Sequence, residues 1–180
     1  MVTNEDDLIF QSLYTVMLIK ALDEAKLLDS TYFDSLPLSP DVRHHIKHIR
    51  VGNQGCLLMF LYALLVLPRE LIEDKYKTEY AEIDKTLNSW NMKTESTYGN
   101  GEPPHEYIRR IRNAVSHGRV SFEPEKFVRF EDKDKKDKNG KSLKFSTEMP
   151  LSKDGQNVGE FLNRLLSVHA KYSADRQPSK

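Results

Sequence analysis

The chain has 180 residues, of which 38% are hydrophobic and 30% are charged, and its formal net charge at pH 7 is zero. This length is enough for one folded domain with a sizeable core, and it does not require a second domain. A neutral chain is unlike the proteins that coat nucleic acid through an overall basic charge, so any contact with nucleic acid must come from local clusters of cations.

The N-terminal part of the chain predicts one long helix followed by a loop. Asn4 is a candidate N-cap, and the acidic residues that follow it favour the positive end of a helix. Apolar residues recur at helical spacing from there to about Leu28. We expect residues 30–38 to form a loop or a short turn.

A second helix is predicted after this loop. Ser39 occupies the N-cap position, and Pro40 follows at the first helical position, where proline is favoured. Gly52 and Gly55 lie inside the helical pattern, and they either break the helix or allow another backbone to approach closely. The last part of the pattern, residues 56–67, is apolar on every side, which predicts a central buried helix.

The middle of the chain predicts two more helical segments and a loop. Pro68 begins a short helical piece, and residues 78–90 carry apolar side chains at helical spacing. The stretch from Lys93 to Pro104 contains two glycines and two prolines. This composition predicts a loop that leads into the next helix.

The C-terminal part predicts a β-hairpin and a last helix. Residues 120–131 and 142–149 alternate apolar and polar side chains around Asn139-Gly140, which is typical of a hairpin. Lysines and acidic residues alternate near its tip, which indicates a solvated turn or, as the alternative, an arm that contacts phosphate. A final helix is predicted over residues 158–172, and the tail from Ser173 is expected to fray.

Together these elements predict the architecture. We expect a mainly α fold, an antiparallel helical bundle with a small peripheral β-hairpin before the last helix. Residues 1–172 would form a single domain, and residues 173–180 a flexible C-terminal tail. Cys56 is the single cysteine, so a reducing compartment and a buried, inert thiol are expected. The start of the chain lacks the features of a secretory signal, and we expect a soluble cytoplasmic protein.

The segment from Arg109 to Arg119 contains the clearest chemical signal. It reads Arg-Arg-Ile-Arg-Asn-Ala-Val-Ser-His-Gly-Arg, and Ile108, Ile111, Ala114 and Val115 form its buried stripe. Gly118 is a natural residue to end the helix, which places His117 in its last turn. Arg112 and His117 would be about 140° apart on an uninterrupted helix, so helical spacing alone does not bring them together.

Two interpretations of this segment remain open from the residues alone. Arginine stays charged at any biological pH, and histidine gains or loses a proton near neutrality, which suits phosphodiester chemistry. A histidine in the last turn also stabilises a helix dipole, and arginines on a helix commonly form a solvated face.

A second cluster of cations and histidines lies at the start of the second helix. His44 and His48 are four residues apart, the spacing at which two imidazoles share a zinc ion. No glutamate lies between them to act as a general base, and the neighbouring cations would repel a divalent metal. The main alternative is a basic surface in which His44, His45 and His48 face solvent or RNA.

The Arg112-Asn113-Ala114-Val115-Ser116-His117 sequence resembles the Arg-x4-His motif of the ribonuclease branch of the HEPN superfamily. The length and layout of the chain are similar to a compact HEPN subfamily found on bacterial plasmids and chromosomes. The resemblance implies a metal-independent endoribonuclease that needs no cofactor, cleaves single-stranded RNA through its 2′-hydroxyl, and serves as a toxin or a phage-defence effector.

The resemblance also implies roles for individual residues. Arg112, His117 and Asn113 would be catalytic, and Arg109, Arg110 and Arg119 would bind the flanking RNA backbone. HEPN ribonucleases build their cleft from two subunits, so a homodimer with a composite active site is expected, with an antitoxin or regulatory protein as a further partner. Some HEPN toxins have a tyrosine two positions after the histidine that a partner enzyme modifies, whereas this chain has Arg119 there.

Two other functions are kept as alternatives. The first is a non-catalytic HEPN-like dimer that binds a nucleotide or a protein. The second is a metal-dependent hydrolase that uses His44 and His48. A catalytic chain should depend on His117, a scaffold should not, and a metal-dependent hydrolase should lose activity when a chelator is added.

Overall fold

The computed structural model describes residues 4–98, 101–136, 139–152 and 156–176. Within these residues the chain is predominantly helical, with a four-stranded antiparallel sheet before its last helix. The helices are α1 (Asn4–Glu24), α2 (Thr31–Ser35), α3 (Pro40–Ile49), α4 (Gln54–Leu61), α5 (Lys77–Ser89), α6 (Tyr107–Ser116) and α7 (Val158–Arg176). The strands are β1 (Lys93–Ser96), β2 (Val120–Glu123), β3 (Phe127–Lys136) and β4 (Ser142–Pro150).

The first helix is shorter than predicted. It ends at Glu24, and Lys26 adopts a positive φ of 54° before a short 3₁₀ turn. The predicted loop that follows contains α2, because the side chain of Ser30 accepts a hydrogen bond from the backbone of Phe33 and caps the helix. Phe33 is buried, so this short helix contributes to the core.

The second helical pattern is broken, as one of the two interpretations of its glycines predicts. Ser39 caps α3 through the backbone N–H of Val42, and the helix ends where Arg50 takes a φ of 58°. The side chain of Asn53 then caps α4, which lies at 71° to α3. A Cβ on Gly52 would meet no atom within 4 Å. No close backbone approach therefore occurs there.

The central apolar segment is only partly buried, which corrects the prediction of a helix buried all round. Leu61 and Leu64 are fully buried, whereas Met59 is 65% exposed. Cys56 is half-buried, and burial raises the pKa of its thiol. Among the described helices, none alone is long and apolar enough to cross a bilayer; α3 and α4 together pass that test only as a sharply bent pair.

Pro68 lies between two π-helical segments and removes one helical hydrogen bond, and a buried histidine supplies a contact at the carbonyl that loses its partner. The segments Tyr62–Val66 and Arg69–Glu73 are π-helical and lie on either side of Pro68. Because proline has no N–H, it leaves the carbonyl of Leu64 without its α-helical partner. The Nε2 atom of His169, on α7, lies 2.9 Å from this carbonyl oxygen. The contact joins the last helix to the centre of the fold.

Because His169 is buried, we expect it to make the free energy of unfolding decrease at acidic pH. Loss of hydration lowers the pKa of its imidazole to about 4, whereas an unfolded chain binds this proton near pH 6.5. As the pH falls from 6.5 to 4, protons bind the unfolded state first, and we expect the free energy of unfolding to decrease by roughly 3 kcal/mol from this residue. Denaturant titrations of the wild type and His169→Gln at pH 7 and pH 4.5 measure this, since glutamine retains an N–H donor without titrating. An equal loss of stability in both proteins would contradict the prediction.

The sheet is larger than the predicted hairpin. Its strand order is β1-β4-β3-β2, with every neighbouring pair antiparallel. The segment predicted as one strand, 120–131, turns at residues 124–126 and supplies both β2 and the start of β3. The predicted loop from Lys93 contains β1, which pairs with β4 and places Thr94 Oγ1 2.8 Å from Thr147 Oγ1. Asp137 and Lys138, in the predicted hairpin turn, lie outside the described residues.

The core forms where α6 packs between the helices and the sheet. The faces turned inward are apolar, and they include Ile111 on α6, Phe130 on β3 and Phe161 on α7, all with no solvent exposure. Helix α7 continues to Arg176 with Ser173 buried, so the fraying expected from residue 173 does not occur there, and 177–180 lie outside the described residues. The bundle arrangement and the single domain over 1–172 stay predictions.

Candidate active site

The helix that carries the Arg-x4-His sequence is anchored at its N-terminus by a neighbouring helix. Glu106, the N-cap residue of α6, makes no side-chain cap. The carboxylate of Asp84, on α5, instead accepts a 2.8 Å hydrogen bond from the backbone N–H of Ile108. Burial of this carboxyl, opposed by its hydrogen bonds to the helix, raises its pKa to about 6. The predicted apolar stripe of α6 is buried, as expected.

The C-terminus of α6 ends as the sequence predicts. Gly118 has a φ of 64°, a conformation that favours glycine. The N–H of Gly118 donates to the carbonyl of Val115, and the N–H of Arg119 donates to that of Ala114. This pair of hydrogen bonds is a Schellman motif, which ends the helix abruptly. His117 therefore lies at the end of the helix, where its side chain is exposed.

The His117 groove, as we call the depression beside this helix end, brings most of the predicted site together. Its volume is about 430 Å³. It is lined by residues that include Arg69, Arg109, Arg112, Asn113, His117 and Arg119. All three predicted catalytic residues and two of the three predicted RNA-binding arginines therefore share one open depression. Arg119 also donates a 2.8 Å hydrogen bond to the backbone carbonyl of Lys133 on β3.

Arg112 is held by a carboxylate that the sequence did not reveal. Its side chain is 7% exposed and forms an ion pair with Glu73, in the π-helical segment after Pro68. A buried guanidinium requires such a partner, because an unpaired buried charge is costly. One edge of the guanidinium is therefore fixed by Glu73, and the side chain still lines the His117 groove.

Asp132 is a second carboxylate that sequence reasoning missed. It is 2% exposed on β3 and accepts hydrogen bonds from Arg110 Nη1 at 3.0 Å and from Asn113 Nδ2 at 3.1 Å. Arg110 also pairs with Glu106 and lies 3.4 Å above the centroid of the Tyr98 ring. Arg110 is thus buried and is not among the residues that line the His117 groove. Its position suits an anchor for Asp132 better than a contact to RNA.

The histidines of α3 are arranged differently. His44 and His48 are exposed, and His45 Nδ1 lies 2.8 Å from the backbone oxygen of Asp41. Among the described residues, no group of three or more histidine, cysteine or acidic side chains is placed to hold a metal ion. The geometry of α3 therefore offers no observation in favour of the metal-dependent alternative.

Comparison with known proteins identifies the family. The family model HEPN pEK499 p136 matches residues 3–175 of this chain. The chain belongs to this HEPN family. No significant match was found among curated proteins or among solved structures. HEPN domains are generally nucleases or nucleotide-binding domains, and they commonly act as dimers.

The groove of this HEPN domain brings a guanidinium, an amide and an imidazole together. The guanidinium of Arg112, fixed by Glu73, carries a positive charge that attracts anions, and the exposed imidazole of His117 offers ring nitrogens for hydrogen bonds. Asn113 adds an amide that is itself oriented by Asp132.

Proposed function

We propose that this HEPN protein is a metal-independent endoribonuclease that cleaves single-stranded RNA. The observation that carries the proposal is the His117 groove, in which Arg112, Asn113 and His117 line one open depression. The 2′-hydroxyl of the RNA would attack the adjacent phosphorus and form a new P–O bond. The bond from phosphorus to the 5′-oxygen would break, which leaves a 2′,3′-cyclic phosphate and a free 5′-hydroxyl.

Each residue has a distinct part in this reaction. His117 accepts the proton of the 2′-hydroxyl or donates one to the leaving 5′-oxygen, because proton transfer at either position lowers the barrier. Arg112 binds the non-bridging oxygens of the phosphate, where negative charge increases in the transition state. Asn113 orients His117 or a phosphate oxygen through its amide. Arg109 and Arg119 bind the flanking backbone.

A second copy of the chain completes the site in this proposal. One histidine cannot act as base and acid at the same time in a concerted step. Two grooves that face each other across a two-fold axis would supply both groups, so we propose a homodimer with a composite active site. The cellular role we propose is that of a toxin or phage-defence effector in the bacterial cytoplasm, controlled by an antitoxin or another regulatory protein.

The test is cleavage of RNA without metal. Purified protein is incubated with a fluorescent single-stranded RNA in excess EDTA, and the products are separated and tested for cyclic-phosphate ends. We expect cleavage that persists in EDTA and is absent for the DNA of the same sequence, since DNA lacks the 2′-hydroxyl. Loss of activity in EDTA, or an equal rate on DNA, would contradict the proposal.

A specific observation favours one second candidate. The ion pair between Glu73 and Arg112 partly neutralises the phosphate-binding guanidinium, which suits a dimeric scaffold that binds a nucleotide or a protein without cleaving RNA. The distinguishing result is the response to His117→Ala. A scaffold keeps its affinity and shows no cleavage before or after the change, whereas a nuclease loses a measurable rate.

A further inference from the structure

A second cavity adjoins the His117 groove on the other side of Arg112. The α5–α6 cavity, as we call it, has a volume of about 520 Å³ and lies between helices α5 and α6. Arg69, Arg109 and Arg112 line both the cavity and the groove. The three arginines therefore form the boundary between the two spaces.

The size of this cavity suits one nucleotide, and its wall is mostly charged with a smaller apolar part. Ligand sites in proteins commonly have volumes of about 300–1,000 Å³ and combine an apolar surface with a few polar groups. The apolar surface here comes from Tyr80 and Ala81 on α5 and from Ile108 on α6. The arginines at the boundary offer positive charge to a sugar-phosphate chain, and the apolar residues offer a surface to a base.

Asp84 differs from the other carboxylates of the cavity wall in the partners that it has. Among the described residues, the other carboxylates of the cavity form ion pairs with cations: Glu73 with Arg112, Asp74 with Lys77, and Glu106 with Arg109. Asp84 instead accepts a hydrogen bond from the backbone N–H of Ile108, near the start of α6. A carboxylate has about four acceptor positions, so Asp84, which lines the cavity, retains capacity to accept a hydrogen bond from a further donor.

We propose that the α5–α6 cavity binds the nucleotide next to the scissile linkage and that Asp84 selects a base with an exocyclic amino group. This inference rests on the proposed ribonuclease function. Cytosine, adenine and guanine each carry such an amino group, and acidic side chains accept hydrogen bonds from it. Uracil carries a carbonyl oxygen where cytosine carries its amino group, so it offers a carboxylate no hydrogen-bond donor at that position.

The experiment uses chimeric oligonucleotides that contain a single ribonucleotide within a DNA strand. Only one linkage can then be cleaved through a 2′-hydroxyl, and the bases on its 5′ side and 3′ side are varied separately between cytosine and uracil. We expect kcat/KM to fall about 10-fold when uracil replaces cytosine on one of the two sides, which is the size of one hydrogen bond to a charged group. A wild-type enzyme that cleaves all of these substrates at the same rate would overturn the inference and leave the proposed function intact.

Two variants and a matched control test the cavity itself. Asp84→Asn keeps an oxygen for the Ile108 N–H, adds an N–H donor, and is expected to reduce the cytosine preference to less than about 3-fold. Ala81→Trp fills the cavity and is expected to raise KM for the chimeras. Lys85→Trp is the control, because Lys85 is exposed on α5 and pairs with Glu82 away from the cavity. Variants that retain the full preference and the wild-type KM would overturn the inference.

A binding measurement separates failure of the inference from failure of the proposed function. Fluorescence anisotropy gives the Kd of the cytosine and uracil chimeras for the wild-type chain and for Asp84→Asn, with no need for cleavage. If the wild type cleaves no RNA, the ribonuclease proposal is wrong. If, in addition, the Kd values of the uracil and cytosine chimeras are nearly equal, the cavity does not select the base either. A Kd ratio of about 10 that is lost in Asp84→Asn would support the cavity as a nucleotide site.

Discussion

His117→Ala is expected to lower the rate of RNA cleavage by about 10²–10⁴-fold while leaving RNA binding within about 3-fold of the wild type. The imidazole is exposed at the end of α6 and makes no hydrogen bond among the described residues that supports the fold. Its removal should therefore delete proton transfer without destabilising the protein. Single-turnover cleavage with saturating enzyme measures the chemical step, and anisotropy measures the affinity.

A matched pair of histidines controls for this result. His44 and His48 are also exposed, but they lie on α3 and do not line the His117 groove. The double variant His44→Ala/His48→Ala should retain the wild-type rate, with and without EDTA. A rate that falls in this double variant and survives in His117→Ala would reverse the assignment and favour a metal-dependent reaction at α3.

The sequence predicts in detail the helix that carries the site, because residues close together in the chain determine where that helix packs and where it ends. The apolar stripe of α6 and the glycine that ends it are both properties of residues within a few positions of each other. The same holds for the Ser39 cap, where the signal and its structural effect are neighbours in the chain. The family assignment follows from this short segment and its context, and the family match confirms it.

The carboxylates of the site escape sequence reasoning because their partners are distant in the chain. Glu73 and Arg112 are separated by 39 positions, and Asp132 lies 22 positions after Arg110. No spacing rule links a residue of a π-helical turn to one on α6, so only the packed structure shows the pairs. A buried position for Arg110 was also unpredictable, since its burial depends on a strand and on the ring of Tyr98.

The edge strand β1 illustrates a related limit. The residues from Lys93 to Ser96 are polar, and the glycines and prolines that follow them favour a loop. The strand forms because β4 offers an unpaired edge, and Thr94 pairs with Thr147 and with the hydroxyl of Tyr107. Tertiary hydrogen bonds therefore determine the conformation that local composition disfavours.

Asp132→Ala is expected to lower the free energy of unfolding by about 3–5 kcal/mol, the cost of removing one partner from a buried ion pair. The side chains of Arg110 and Asp132 are 7% and 2% exposed, so the guanidinium that remains has little access to water. Its ion pair with Glu106 persists, but that carboxylate is 56% exposed and compensates less. Urea denaturation followed by circular dichroism measures the change. A loss below about 1 kcal/mol would show that Arg110 regains its hydration after the change.

The double variant Arg110→Met/Asp132→Leu separates the structural role of this pair from its role in the site. Replacing a buried ion pair by apolar side chains of similar volume is commonly neutral or stabilising, so the double variant should recover most of the stability lost in Asp132→Ala. Asn113 loses its acceptor in both proteins. RNA cleavage should therefore stay reduced, by up to about 10²-fold, even where stability is restored, because a catalytic amide that is no longer held departs from its productive position. Full recovery of both stability and rate would show that Asp132 serves the fold alone and that Asn113 needs no anchor.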